Sequence, residues 1–157
     1  MTAFLRWLTH THTQRWHAHY HTAGTGHLYQ GRFKAFPIQE DDHLYTVLRY
    51  VERNALRAGL CGRAEDWRWS SLAHRGAGRQ DKIAALLSGW PMPLPGDWSA
   101  RVNGPQSEAE LAAVRRSVAR GQPFGSAAWQ ERTAGRLGLQ ATFRARGRPR
   151  RQAADEV

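Results

Sequence analysis

Apolar positions recur at helical spacing over several stretches of the chain, broken by glycine and proline. Over residues 2–21, Phe4, Leu5, Leu8 and Trp16 fit one stripe, which predicts a first helix. Thr22-Ala-Gly-Thr-Gly26 interrupts it. Residues 27–38 alternate Leu28, Gln30, Arg32 and Lys34 against Tyr29, Gly31, Phe33 and Ala35, the period of a strand, with Pro37 ending it. Asp41 or Asp42 then caps a second helix. Its apolar stripe runs Leu44, Val47, Leu48, Val51, Ala55, Ala58, centred near Leu48 and Val51, with Gly59 as its stop.

Beyond that helix the pattern shortens. Trp67, Trp69 and Leu72 fall in an irregular or helical stretch, and residues 82–87 form a further short helix. Residues 88–106 hold four prolines and three glycines, which predicts a linker or an extended segment laid over a surface. Ser107-Glu-Ala-Glu110 is a capping box opening a helix that Gly121 closes. Ser126 caps another, reaching about Leu137. The division expected is a folded part over 1–75, a linker over 76–106, a helical segment over 107–142 and a basic tail over 143–157. Two short helices about a tight turn are also compatible with a helix-turn-helix.

Charge changes the picture. The 157 residues carry 23 Lys+Arg against 13 Asp+Glu, a formal net charge of +10. Residues 1–39 contain no acidic residue but six of the eight histidines. The tail adds Arg144, Arg146, Arg148, Arg150 and Arg151. Such a balance suits a polyanion, usually nucleic acid. Arginine outnumbers lysine 21 to 2, and guanidinium both forks phosphate oxygens and stacks on bases. One cysteine, Cys61, excludes an internal disulfide. The apolar runs are too short for a membrane span, so a soluble, cytoplasmic protein is expected.

Candidate chemistry concentrates on the second helix. Each helical residue turns about 100°. Tyr50, Asn54 and Arg57 therefore form a polar strip beside the apolar face. That strip reads either as a nucleophile with an amide and a guanidinium beside it, or as an amphipathic edge of the core. The three His-x-His pairs, at His10/His12, His17/His19 and His19/His21, lie in the first helix, where i and i+2 point apart and cannot share one ion. Arg146-Gly-Arg-Pro149 matches the core of a minor-groove-binding hook, or is simply a basic tail. Trp67 and Trp69 read as core residues or as platforms for unpaired bases. No glycine-rich phosphate loop followed by Lys-Ser/Thr occurs, so ATP use is not expected.

Three blocks together resemble a known family. Gly26-His-Leu-Tyr-Gln-Gly-Arg-Phe-Lys-Ala-Phe36, Leu48-Arg-Tyr-Val-Glu-Arg-Asn-Ala-Leu-Arg-Ala-Gly-Leu60 and Trp67-Arg-Trp-Ser-Ser71 are similar to the REP-associated tyrosine transposases, of the single-tyrosine HUH type. Arg120-Gly-Gln-Pro-Phe-Gly125 and Arg146-Gly-Arg-Pro-Arg150 look like that family's C-terminal segment. The resemblance implies an α+β fold: the C-terminal part of a ferredoxin-like domain, mostly helical with one or two strands, plus a helical C-terminal extension. It implies cleavage and rejoining of single-stranded hairpin DNA through a 5′-phosphotyrosine, with Mg²⁺ or Mn²⁺. Tyr50 falls on the family's nucleophile and Asn54 on its amide metal ligand. Arg32, Lys34, Arg53, Arg57, Arg146, Arg148 and Arg150 become the candidate DNA contacts. Two features depart from the pattern. The family's His-hydrophobic-His strand has no counterpart here, since His19-Tyr-His21 matches it only in letters; the chain is accordingly expected to be an N-terminally truncated member, inactive alone. Ala55 stands where the family has proline. The alternative is a catalytically incomplete DNA-binding remnant.

Overall fold

A computed structural model describes residues 2–29, 31, 33–76 and 81–144. The described chain is mostly helical and divides into two compact units, Met1–Ala35 and Phe36–Val157.

The first unit is built on helix α1 (Thr2–Tyr20). Its expected apolar stripe stays largely uncovered among the described residues, with Leu5 half-buried and no α1 residue fully buried. Instead, His12, Trp16 and Tyr20 stack at four-residue spacing, with ring centroids 6.0 Å and 4.3 Å apart. Thr9 and Thr13 donate their hydroxyls back to the carbonyls of Leu5 and Thr9. His12 Nδ1 lies 2.6 Å from the Tyr29 hydroxyl, tying the following loop to the helix.

Among the described residues the strand expected over 27–38 does not form: Gly26 and Gly31 adopt φ +117 and +82, outside the β region, and no described strand pairs with the segment. The β pairing found among the described residues is one isolated parallel bridge, Ile38 to Phe124. The one or two strands implied by the resemblance are thus reduced to this bridge.

In the second unit, α2 (Asp42–Glu52) begins at Asp41, whose carboxylate accepts from the His43 backbone N–H at 2.9 Å. Partial desolvation disfavours the charged Asp41, but the His43 N–H and imidazole outweigh it and hold the carboxyl below its ordinary value. α3 (Asn54–Arg57) continues α2 after one broken residue, Arg53, with Arg57 N–H still donating to the Arg53 carbonyl. Gly59 follows at φ +70, as a helix stop requires.

α2 packs two ways. Val47 joins Val114 and Phe124, with Tyr50 and Ile38 against them. Tyr45, Leu48 and Leu56 pack on Ala64, Leu72, Trp98 and Val102. Val102 and Trp98 belong to α5 (Trp98–Asn103), which forms inside the segment 88–106 expected to be extended. The tryptophan anchors that segment in the core despite its prolines. Over 82–87 the expected helix is a single 3₁₀ turn, Ala84–Leu86.

α4 (Ser71–Gly76) precedes this turn, and α6 (Glu108–Arg120) opens with the expected capping box and ends at Gly121 in the left-handed conformation. α7 (Ala127–Leu137) starts at Ser126, but the Ser126 side chain caps nothing. Its N–H and hydroxyl bond Gln39 Oε1 at 2.9 and 3.1 Å. Gly125 is needed there, because a Cβ would stand 2.7 Å from both Gln39 Oε1 and the Trp129 ring.

Candidate functional site

The α2–α3 join gathers the polar strip into contact. The Arg57 guanidinium carbon lies 4.3 Å from the centroid of the Tyr50 ring. Arg57 Nη2 donates to Asn54 Oδ1 at 2.7 Å. Helix geometry explains both contacts, since residues three and seven apart share a face and the join keeps the helical turn. Tyr50 is half-buried against Val47 and Val114, while Asn54 is exposed. Arg57 Nη1 is enclosed and finds no acceptor among the described residues. The cluster thus sets one fixed positive charge against a phenol ring. That charge complements what a phenoxide and a phosphodiester would both bring.

Arg53 is placed differently. Its Nη1 donates to the carbonyl of Val102, at 3.0 Å, and to that of Asn103. Arg49, four residues earlier, donates from Nη2 to the carbonyls of Gly104 and Pro105 at 3.0 and 2.7 Å. The two arginines hold the C-terminal end of α5, where carbonyls lack helical partners and the helix dipole is negative. Arg53, expected as a DNA contact, therefore has its guanidinium engaged inside the protein. Lys34 is exposed, in the first unit. Arg32, Arg146, Arg148 and Arg150 lie outside the described residues, as does the hook-like Arg-Gly-Arg-Pro.

Several residues carry no sequence signal for their roles. Glu52, 4% exposed, accepts from the Ser71 hydroxyl at 2.6 Å and the Trp98 indole N–H at 2.7 Å. Asn103 donates to Glu65 Oε2 at 2.7 Å and accepts from the Ala64 N–H. The Asn103 amide, together with Arg63 and despite some desolvation, holds the Glu65 carboxyl down to about 2.

Val51, placed by its spacing at the centre of the core stripe, is 60% exposed. By angle it lies between Val47 and Leu48, but one turn on, where its own side faces the groove rather than the core, while Glu52 and Ala55 beside it stay buried. It lines a groove of about 280 Å³ with Asn54, Leu60, Trp67 and Trp69.

The described residues do not compose a divalent-metal site. Asn54 Oδ1, the one ligand the resemblance supplies, is already taken by a guanidinium, which would repel a cation there. Among the described residues no group of three or more His, Cys, Asp or Glu is placed to hold an ion. His17 Nδ1 lies 2.9 Å from the Thr22 hydroxyl. No described helix is long and apolar enough to cross a membrane. No family model, curated protein or solved structure matches the chain.

Proposed function

We propose that this chain acts on single-stranded hairpin DNA in the manner of a single-tyrosine transposase, with Tyr50 as the nucleophile. The contact of Arg57 with both Tyr50 and Asn54 carries the reading. It puts the two residues that match the family's chemistry beside a cation, on a chain of net charge +10. In the reaction, Tyr50 Oη attacks the scissile phosphorus. A P–O bond to tyrosine forms and the P–O3′ bond breaks. The phenol proton passes in net to the released 3′ oxygen, leaving a 5′-phosphotyrosine link and a free 3′-OH. The reverse step rejoins the strand. Arg57 offsets charge at the phosphate. The described residues do not fit Mg²⁺ or Mn²⁺. The ferredoxin-like α+β domain is part of the same proposal, with α2 as its tyrosine helix.

A second reading, binding without cleavage, is favoured by the occupied Asn54 Oδ1. One experiment separates the two. Labelled hairpin strands are incubated with the chain and Mg²⁺, and protein-linked label is read on a denaturing gel, beside a salt titration of binding. The enzymatic reading expects an adduct that Tyr50→Phe abolishes. Binding that weakens steeply with salt, without adduct, supports the second reading. Binding indifferent to salt, or absent, overturns both. An adduct that survives Tyr50→Phe removes Tyr50 as nucleophile.

A further inference from the structure

The groove at the end of α2 has no occupant from the described chain, and its lining is particular. Trp69 is 65% exposed, Leu60 62% and Val51 60%, although all three are apolar residues beside a well-packed core. The Arg68 guanidinium stacks 4.3 Å from the centroid of the Trp69 ring, so the opposite ring face and its edges are what remain open. Trp67, half-buried, lines the same groove. The acidic residue there, Glu52, has both oxygens committed to Ser71 and Trp98 and offers nothing to a cation.

Size and charge narrow the occupant. At about 280 Å³ the groove falls at or below the lower end of the roughly 300–1,000 Å³ typical of pockets for drug-sized ligands, which suits one small planar group. Two of the residues that line it carry a cation: Arg68 stacks on Trp69 and Arg57 bonds Asn54, so its surroundings are cationic. A planar, stackable group carried on an anionic backbone meets both conditions, and single-stranded nucleic acid is the polymer that supplies it.

We propose that this groove holds one unstacked base of single-stranded DNA, with Trp69 as the stacking residue and Arg68 fixing its indole from the other face. The inference rests on the proposed function and deepens it. Asn54 belongs both to the groove and to the Tyr50–Arg57 cluster, so the phosphodiester next to the held base comes beside the tyrosine. Trp69 thereby sets which nucleotide is presented for cleavage, or fixes the register of a strand that is only bound.

The full chain is titrated with fluorescent oligothymidylate and with an abasic strand of the same length, at one salt concentration. Trp69→Ala weakens oligothymidylate binding by about 5- to 150-fold, the loss of one base stack. Its binding of the abasic strand equals wild type, and Trp69→Phe restores most of the thymidylate affinity. The exposure of Trp69 makes the variant safe for folding, and a circular-dichroism melt matching wild type verifies that. Unchanged thymidylate binding by Trp69→Ala overturns the groove assignment and leaves the proposed function standing. So does an equal loss on both strands, which makes Trp69 a backbone contact. Self-association of the wild type that Trp69→Ala abolishes gives the groove to a second copy of the chain and also overturns it. If the wild type binds neither strand, the groove assignment falls; the proposed function falls with it only where the hairpin strands are not bound either.

Discussion

Glu52 is the residue on which the second unit's interior depends most visibly. A carboxylate with 4% exposure, and no cation on it among the described residues, is held by two neutral donors, the Ser71 hydroxyl and the Trp98 indole. Burying a charge is costly unless its lone pairs are satisfied. Removing one donor therefore costs more than one ordinary hydrogen bond. Trp98→Phe keeps most of the ring packing on Leu72 and Val102 but strips the donor from Glu52 Oε2. It is expected to destabilise the fold by about 2 kcal/mol, the worth of a hydrogen bond to a charged group, as measured by urea denaturation. A loss under about 0.5 kcal/mol would mean that the carboxylate finds another donor. None of this was legible beforehand. Nothing in the spacing singles out Glu52, and Trp98 falls in the segment 88–106 expected as a linker; their meeting spans 46 positions.

Between elements, short segments are tied by side chains more than by packing. α4 and the 3₁₀ turn at Ala84–Leu86 are joined through His74 and Asp81. His74 Nδ1 lies 2.6 Å from Asp81 Oδ2, and Nε2 lies 2.7 Å from the Arg68 carbonyl. Both partners are acceptors, so the arrangement is complete when the ring carries both protons. The hydrogen bond to Asp81, against some desolvation, raises the His74 value above 6.5. The bond from His74, helped by the Ile83 N–H, lowers that of Asp81 below 3.8. For the raised histidine, stabilisation is fully present below 6.5 and is lost as pH rises through its folded value. For the lowered carboxyl, it is present above 3.8 and is lost as pH falls through its folded value. The tie is therefore strongest between about 3.8 and 6.5. Amide exchange across 71–76 and 81–86, corrected for intrinsic rates, is expected to be slowest in that window and to quicken above it. Asp81→Asn, which keeps an oxygen for the Ile83 and Ala84 N–H groups, should flatten that dependence. Exchange that follows only the intrinsic rate in wild type would show that the tie carries no stability.

At the scale of the molecule, local grammar was legible and long-range partnership was not. α1, the Asp41 cap, the capping box at Ser107 and the stop at Gly121 follow from spacing and cap chemistry, which act within a few residues. The Tyr50–Asn54–Arg57 strip also followed from helical rotation. The strand over 27–38 failed because alternation states a preference that only a neighbouring strand can satisfy. Arg53, expected as a DNA contact, also reaches the carbonyls of α5 about fifty positions on, which no local pattern announces.

The same long-range logic fixes the protein's response to acid. Glu65, in the 3₁₀ turn Ala64–Asp66 that also carries the fully buried Ala64, is bonded to Asn103 at the end of α5 and to Arg63 just before the turn. These partners hold its carboxyl down to about 2, against 4.5 for the free group. A lowered value means stability that is complete above 4.5 and drains as pH falls toward about 2. A chain of net charge +10 becomes still more positive over that range, so general repulsion also pushes toward unfolding. Salt and substitution separate the two. Added salt screens repulsion between exposed charges but affects a hydrogen-bonded carboxylate less. Glu65→Gln keeps an oxygen for Asn103 and loses the titration. If Glu65 governs acid unfolding, the variant is less stable than wild type at neutral pH and the difference closes as pH falls below about 4. Parallel acid transitions in the two proteins, both shifted by salt, would assign the response to net charge alone.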